Sequence, residues 1–276
     1  MSRVWLITGA SSGFGRAIAD AALAAGDTVV GAARRTEALD EPAAAHPGRL
    51  EPLRLDVTDI AAIGPAVRDL VSRHGRIDVL VNNAGRTHVG ALEETTDAEL
   101  RALFDLHVFG PAALVRAVLP HIRERRSGAI VQMSSMGGQM SFAGFSAYSG
   151  TKFALEGMSE ALADEVREFG IKVLIVEPGV FRTSIFGRGR AGASADSGVY
   201  AKVTEARRFI EGGDDTRPGD PAKAAALIIA ALDADETPLH LPLGADSVTA
   251  VLGQLDTVRS DIAAWEQRTR ATAFDD

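Results

Sequence analysis

Arg3-Val4-Trp5-Leu6-Ile7-Thr8-Gly9-Ala10-Ser11-Ser12-Gly13-Phe14-Gly15 opens the 276-residue chain and decides its fold. Residues 3–8 are apolar and partly β-branched, the composition of a buried strand. Glycines then interrupt the run, and an alanine-rich stretch continues to Ala24-Ala25-Gly26, where Gly26 marks a helix stop. Strand, glycine-rich turn and helix, in that order, let backbone N–H groups and a helix N-terminus hold a pyrophosphate. The spacing is Gly-x-x-x-Gly-x-Gly rather than the commoner Gly-x-Gly-x-x-Gly. Tight packing of strand on helix needs the same glycines, so this segment alone leaves both readings open.

The alternation repeats down the chain. A second strand, Thr28–Ala33, runs into Arg34-Arg35. In dinucleotide sites an acid about 20 residues beyond the glycines holds the ribose hydroxyls, whereas arginine accommodates the 2′-phosphate of NADP. No acid appears before Glu37, so Arg34 and Arg35 predict NADP(H) as the cofactor over NAD(H). Further strands are expected at Leu53–Val57 and Ile77–Val81, with a helix over 59–74 between them; the second runs into Asn82-Asn83-Ala84-Gly85. Asp56 is either a helix cap or an acceptor for an adenine amine. Residues 97–126 are helical in pattern, with Gly110-Pro111 breaking or kinking the run. A strand at 129–133 precedes Ser135, a helix spans about 147–168, and a strand at Ile171–Val176 ends in Glu177-Pro178-Gly179. A helix from Asp220-Pro221, a strand at 238–243 and a final helix over 246–270 complete the pattern. Apolar strands alternating with helices predict an α/β fold, a single-domain Rossmann-type doubly wound parallel sheet with helices on both faces. Ligands in such sheets gather at the C-terminal strand ends. Gly9–Gly15, Arg34, Asp56, Asn82–Gly85, Ser135 and Pro178-Gly179 all fall there.

Tyr148 and Lys152 stand four residues apart on the expected helix, so phenol and ammonium share a face. A free tyrosine ionises near pH 10, too high for acid–base work at neutral pH. A neighbouring cation favours the phenolate and brings it toward the working range. Ser135, just after an apolar strand, is placed to hold a substrate oxygen against the phenol. Met136, Met140, Phe142, Phe145 and Phe186 form either an apolar, adaptable substrate pocket or core packing. Residues 184–217, with several glycines and a helical patch near Tyr200–Ile210, are expected to be a mobile lid or else a surface loop. Arg188 and Arg190 within it either meet an anionic substrate or are solvated.

Composition narrows the classes. The net charge of −8 gives no electrostatic case for nucleic acid or an anionic membrane. The absence of cysteine excludes disulfides and thiolate metal sites. His46, His74, His88, His121 and His240 have no metal-ligand spacing and are expected at the surface or in packing, so no metal site is expected. A strand starting at residue 3 leaves no room for a signal peptide, and the longest apolar run, Ala224–Leu232, is short of the ~20 residues needed to span a bilayer. The expectation is a cytoplasmic protein with no membrane partner.

Thr8-Gly9-x-x-x-Gly13-x-Gly15, Asn82-Asn83-Ala84-Gly85, Ser135, Tyr148-x-x-x-Lys152 and Pro178-Gly179-x-x-x-Thr183, in this order, resemble the short-chain dehydrogenase/reductase family over roughly residues 3–245. The resemblance implies that Tyr148 is the acid–base residue, that Ser135 positions the substrate oxygen, and that Lys152 lowers the tyrosine pKa and binds the nicotinamide ribose. It implies a cofactor cradle of Thr8, Gly9, Ser11, Ser12, Gly13, Phe14 and Gly15, with Asp56 and Val57 at the adenine. Asn83, Ala84 and Gly85 would meet the adenosine ribose, and Pro178, Gly179, Val180 and Thr183 the nicotinamide. The implied reaction interconverts a small-molecule ketone or aldehyde with its alcohol, and family members commonly form homodimers or homotetramers through helices near 97–126 and 147–169. One position departs. Where the family usually has a catalytic asparagine, whose carbonyl holds a relay water, this chain has His107. His107 either keeps that role through its backbone carbonyl, relays protons itself, or is simply a buried ring. A cofactor-binding regulator that has lost catalysis is the alternative function.

Overall fold

The computed structural model describes residues 2–183, 185, 191–212 and 217–274. Strand and helix alternate from the start: β1 (Val4–Thr8), α1 (Gly13–Ala24), β2 (Thr28–Ala33), α2 (Asp40–Ala45), β3 (Leu50–Arg54), α3 (Ile60–His74) and β4 (Val79–Asn82). Then come β5 (His88–Val89), α4 (Asp97–Phe104), a π turn (Asp105–Phe109), α5 (Gly110–Glu124), β6 (Gly128–Met133), α6 (Ser146–Arg167) and β7 (Ile171–Pro178). β8 (Gly192–Ala193), α7 (Ala201–Glu211), α8 (Pro221–Asp233), β9 (His240–Leu243) and α9 (Ala245–Arg270) complete the described chain. Seven strands form one parallel sheet in the order β3-β2-β1-β4-β6-β7-β9. The direction of winding reverses between β1 and β4, which opens a crevice at their C-terminal ends.

β1 shows why these residues make this sheet. Leu6 pairs in register with Val30 on one side and Leu80 on the other. Successive side chains of a strand point to opposite faces, so Trp5 and Ile7 enter the core shared with α1 and α8. Val4 and Leu6 enter the opposite core, shared with α3, α5 and α6. A strand buried on both faces reads as an unbroken apolar run, and each large side chain so buried stabilises the fold by ~1.5–3 kcal/mol. Pro52 lies in β3, the edge strand, where a missing N–H is tolerated.

Three departures from the sequence pattern bear on function. The strand expected at 53–57 lies at Leu50–Arg54, which leaves Leu55, Asp56 and Val57 in the loop that follows. Gly110-Pro111 does not break the helix; the chain inserts a π turn instead, in which the Gly110 N–H reaches the carbonyl of Asp105. A Cβ at Gly110 would lie 2.6 Å from the Val57 carbonyl oxygen, so glycine lets the shifted helix cross that loop. The continuous run Asp97–Glu124 is also long and apolar enough, by length and composition, to cross a bilayer. Its Leu114, Val118 and Ile122 fill the core beside α3, which accounts for the apolarity. Thirdly, β5 and β8 form a small parallel sheet tying the loop after β4 to the segment after β7.

Candidate active site

The loops after β1, β2, β3 and β4 enclose a cleft of about 1010 Å³. Gly9, Ser11, Ser12, Gly13 and Phe14 line it together with Arg34, Arg35, Asp56, Val57, Asn83, Ala84, Gly85 and Thr183. Thr8 and Gly15 stand behind this wall and build it. The Thr8 hydroxyl donates to Val81 O at 3.2 Å and accepts the N–H groups of Asn83 (2.9 Å) and Ala84 (3.0 Å). Asn83 Nδ2 in turn donates to Thr8 O at 2.8 Å, locking the two strand-end loops together. A Cβ at Gly15 would meet Gly9 O and Asn83 Nδ2, each at 2.4 Å, while Gly9 itself has φ +65°.

The cleft fits a dinucleotide. Ser12, at the N-cap of α1, makes no side-chain capping bond, and the first turn carries no acid. The orphan N–H groups and positive end of the helix dipole are therefore left for an anion such as a pyrophosphate. Asp56 Oδ1 accepts from Thr58 N (3.0 Å) and Oγ1 (2.8 Å), which leaves Oδ2 for a further donor. The Thr58 N–H, with help from the Arg34 charge, holds this carboxyl below its usual range. Arg34 and Arg35 are exposed at the β2 end. Glu37, which the sequence pattern left out, also lines this end of the cleft.

A second cavity of about 660 Å³ adjoins the first, and Phe14, Asn83, Gly85, Arg86, Thr183 and Ile185 border both. Ser135, Tyr148, Lys152 and His107 converge on it, as do Pro178, Gly179 and Val180. Ser135 is delivered by the end of β6; its Oγ accepts the Gly137 N–H at 3.0 Å. Tyr148 and Lys152 share one face of α6, with the ammonium 5.7 Å from the phenol ring centre. Lys152 Nζ, however, donates to Met133 O at 2.8 Å rather than to the phenol. Burial pulls Lys152 down to about 8, with Glu156 pulling the other way. Burial raises Tyr148 above its ordinary value, and the Ser135 hydroxyl opposes it. The ammonium is thus held by the β6 carbonyl, 5.7 Å from the ring centre, and burial dominates the pKa of the neutral phenol.

His107 sits in the π turn, fully enclosed, with its ring edge-on to Tyr148 at 5.7 Å. Its Nε2 accepts the Arg86 N–H at 3.2 Å, so Nδ1 carries the proton and donates to Thr151 Oγ1 at 2.8 Å. Thr151 completes the chain by donating to Tyr148 O at 2.7 Å. Both ring nitrogens are spoken for, and burial together with the Lys152 charge holds the imidazole well below its usual pKa. In an α-helix the His107 carbonyl would accept from residue 111, which is Pro111 and has no N–H.

One turn beyond Lys152 on the same face, α6 buries Glu156. Gln139 Nε2 donates to Glu156 Oε2 at 3.3 Å and to Glu177 Oε1 at 3.1 Å, and His240 Nδ1 lies 2.7 Å from the same Glu177 oxygen. Burial, with the Glu177 charge adding to it, pushes Glu156 up to about 7. Donor atoms of Glu156, Glu177 and His240 lie within 4.8 Å of one another, but the Gln139 amide occupies their centre. His240 is therefore part of this network, and His88, bonded to Ser194 Oγ at 2.8 Å, is a buried residue of β5. Spacing along α6 flags Glu156; nothing local flags its partners.

Met136, Phe142 and Phe145 line the second cavity as the sequence anticipates; Met140 does not, and Phe186, Arg188 and Arg190 lie outside the described residues. α7, within the segment expected to be a lid, supplies a wall through Lys202, Glu205, Ala206 and Phe209. Two supporting residues escaped the pattern. Phe181 packs on Phe14 at 5.0 Å, and Asp246 Oδ2 accepts the Val180 N–H at 2.7 Å.

Comparison with known proteins places this arrangement. Residues 3–193 match the family model of the short chain dehydrogenases. A crystal structure of a short-chain dehydrogenase from Streptomyces avermitilis is 62% identical, with TM-score 0.93, covering 99% of this chain and 98% of that one. Oxidoreductase BOA17 of Botryotinia fuckeliana is 34% identical over 99% of this chain and 100% of its own. The 3-ketodihydrosphingosine reductase of Bacteroides thetaiotaomicron is 42% identical over 66% of this chain and 65% of its own. The chain belongs to the short-chain dehydrogenase/reductase family, whose members are oxidoreductases acting on CH–OH groups with a nicotinamide dinucleotide.

Proposed function

We propose that the protein is an NADP(H)-dependent carbonyl reductase, and in reverse an alcohol dehydrogenase, for an apolar ketone or aldehyde. The observation that carries this reading is the convergence of Ser135, Tyr148 and Lys152 on an apolar cavity that opens into the dinucleotide cleft. The residues lining the cleft would hold the nicotinamide dinucleotide, which would supply the hydride for the carbonyl carbon. The Tyr148 hydroxyl gives its proton to the carbonyl oxygen, and the Ser135 hydroxyl holds that oxygen by a hydrogen bond. The phenolate left behind is stabilised by the Lys152 ammonium, and reprotonation completes the cycle. α7, the described helix of the segment read as a substrate lid, covers the apolar end of the cavity through Ala206 and Phe209. NADPH consumption against a panel of aldehydes, ketones and diketones tests the reading. Tight NADPH binding with no turnover on any of them would replace it by the regulator alternative.

Arg34 and Arg35 are the cofactor discriminators in this reading. A charge-assisted bond to the 2′-phosphate is worth ~1.5–3 kcal/mol, or about one to two decades in affinity. Exposure places Arg34 at the lower end of that range. Arg34→Asp is expected to weaken NADPH about tenfold or more while leaving NADH nearly unchanged, measured by fluorescence titration. Equal affinities of the unaltered protein for the two cofactors would contradict the assignment.

Glu156 tunes Lys152. Its carboxylate opposes the burial that pulls the ammonium down to about 8. Glu156→Gln therefore lowers Lys152 further, and the alkaline limb of the pH–rate profile for reduction moves to lower pH. The sign for stability is also fixed. A carboxyl raised to about 7 contributes stability fully present below its unfolded pKa of 4.5 and lost as pH rises through 7. Glu156→Gln should accordingly gain on the parent protein between pH 5 and 8 in thermal melts. An unmoved alkaline limb would disconnect Glu156 from Lys152.

A further inference from the structure

From Leu255 to Arg270 every residue of α9 is exposed, so these four turns rest on nothing else among the described residues. An isolated helix of this length is marginal in water even with good helix formers. This one includes Thr257, Val258, Ser260, Ile262, Trp265 and Thr269. Yet six of its large apolar residues are ordered in two columns with a seven-residue repeat, with the exposed Leu252 beside them. Val248, Leu255 and Ile262 form one, and Val251, Val258 and Trp265 form the other, three positions on. All but Val251 are exposed, Ile262 at 64% and Trp265 at 57%. A strict seven-residue repeat with this three–four spacing is the seam of a left-handed two-stranded coiled coil.

We propose that α9 pairs with α9 of a second copy of this chain as a short antiparallel coiled coil. The charges flanking the seam choose the occupant and its direction. Turned end for end so that Ile262 of one helix meets Trp265 of the other, Arg259 faces Glu266 on one flank and Asp261 faces Arg268 on the other. Each pair occurs twice by symmetry, and all are opposite in sign. A parallel pairing would instead set Asp261 of one chain beside Glu266 of the other, two acids. Among the described residues these groups make exposed contacts within the helix: Arg259 with Asp256 at 3.1 Å, Arg270 with Glu266 at 2.8 Å, and Arg268 over the Trp265 ring at 4.9 Å. The helix from Ala245 to Arg270 carries Asp246, Asp256, Asp261 and Glu266 against Arg259, Arg268 and Arg270, a balance that does not favour an anionic lipid surface. Two such segments bury on the order of 1,000 Å² in total, the low end of specific interfaces, so the pairing is reversible with concentration. It is distinct from any contact made through α4, α5 or α6, because α9 lies against β9 and the turn after β6.

The cysteine-free sequence makes the test clean. Chains carrying Arg259→Cys and chains carrying Glu266→Cys, co-expressed and oxidised with copper–phenanthroline, should give a disulfide-linked dimer. Either variant alone should not, because in the antiparallel register its cysteines lie a full heptad out of reach. In parallel, Leu255→Glu/Ile262→Glu should halve the mass measured by light scattering at a concentration where the parent associates, with NADPH affinity unchanged. No cross-link in the mixture, or a mass unaltered by the double substitution, would overturn the proposal. Loss of vesicle binding in the double variant at constant mass would overturn it in favour of a lipid surface.

Discussion

Tyr148→Phe is expected to lower carbonyl reduction by about 10²–10⁴-fold, the usual contribution of a positioned general acid, while NADPH binds with nearly unchanged affinity. The phenol is the acid that the cavity aims at a bound carbonyl. Ser135 can donate a hydrogen bond but is far too weak an acid to give up its proton, and Lys152 is turned toward Met133 O. Phenylalanine keeps the ring, and with it the edge contacts to His107 at 5.7 Å and Phe145 at 6.5 Å. Only a buried hydroxyl is lost, so stability should hold or rise slightly, and a fall in turnover then reports chemistry. Steady-state rates with NADPH, set beside a cofactor titration of the same preparation, make the measurement. Activity within tenfold of the parent would remove Tyr148 from the proton-donor role.

The parts of the site legible in the sequence are those where a short spacing has one geometric meaning. Gly9, Gly13 and Gly15 announce a backbone approached too closely for a Cβ, and the distances at Gly15 bear that out. Tyr148 and Lys152 share a face because four residues is one helical turn. What stayed hidden depends on distance along the chain or on a single inserted residue. The π turn at Asp105–Phe109 leaves the apolar pattern of 97–126 almost intact, so only the Gly110-Pro111 pair hints at it. β5 and β8 are two residues each, too short to show a period. Asp246, which ties down the Val180 loop, comes from the start of α9, and Glu177 and His240 reach Glu156 from neighbouring strands of the sheet. The direction of the Lys152 side chain was likewise beyond the spacing. Four residues place the ammonium near the phenol but do not say that a β6 carbonyl will hold it.

His107→Ala is expected to cost ~2–4 kcal/mol of stability and most of the activity, whereas His107→Asn should fold, bind NADPH and stay within about tenfold of the parent rate. Alanine leaves a cavity and orphans the Arg86 N–H, and each loss is costly in a closed site. Asparagine restores a polar partner, and both substitutions keep the backbone carbonyl that Pro111 cannot engage. If that carbonyl does the work of the family's asparagine, the side chain shapes the π turn and nothing more. The ring's hydrogen bonds favour this account, since neither nitrogen is left to pass a proton. Its titration gives a separate check. A histidine whose folded pKa lies well below 6.5 contributes stability that is present above 6.5 and lost as pH falls below it, by up to about 1.4 kcal/mol per pH unit. The parent should therefore lose more melting temperature between pH 7.5 and 5.5 than His107→Asn does, and its pH–rate profile should show no ionisation near 6.5 that the substitution removes. A His107→Asn protein that binds NADPH normally but has lost most of its turnover would show that the imidazole itself carries the proton.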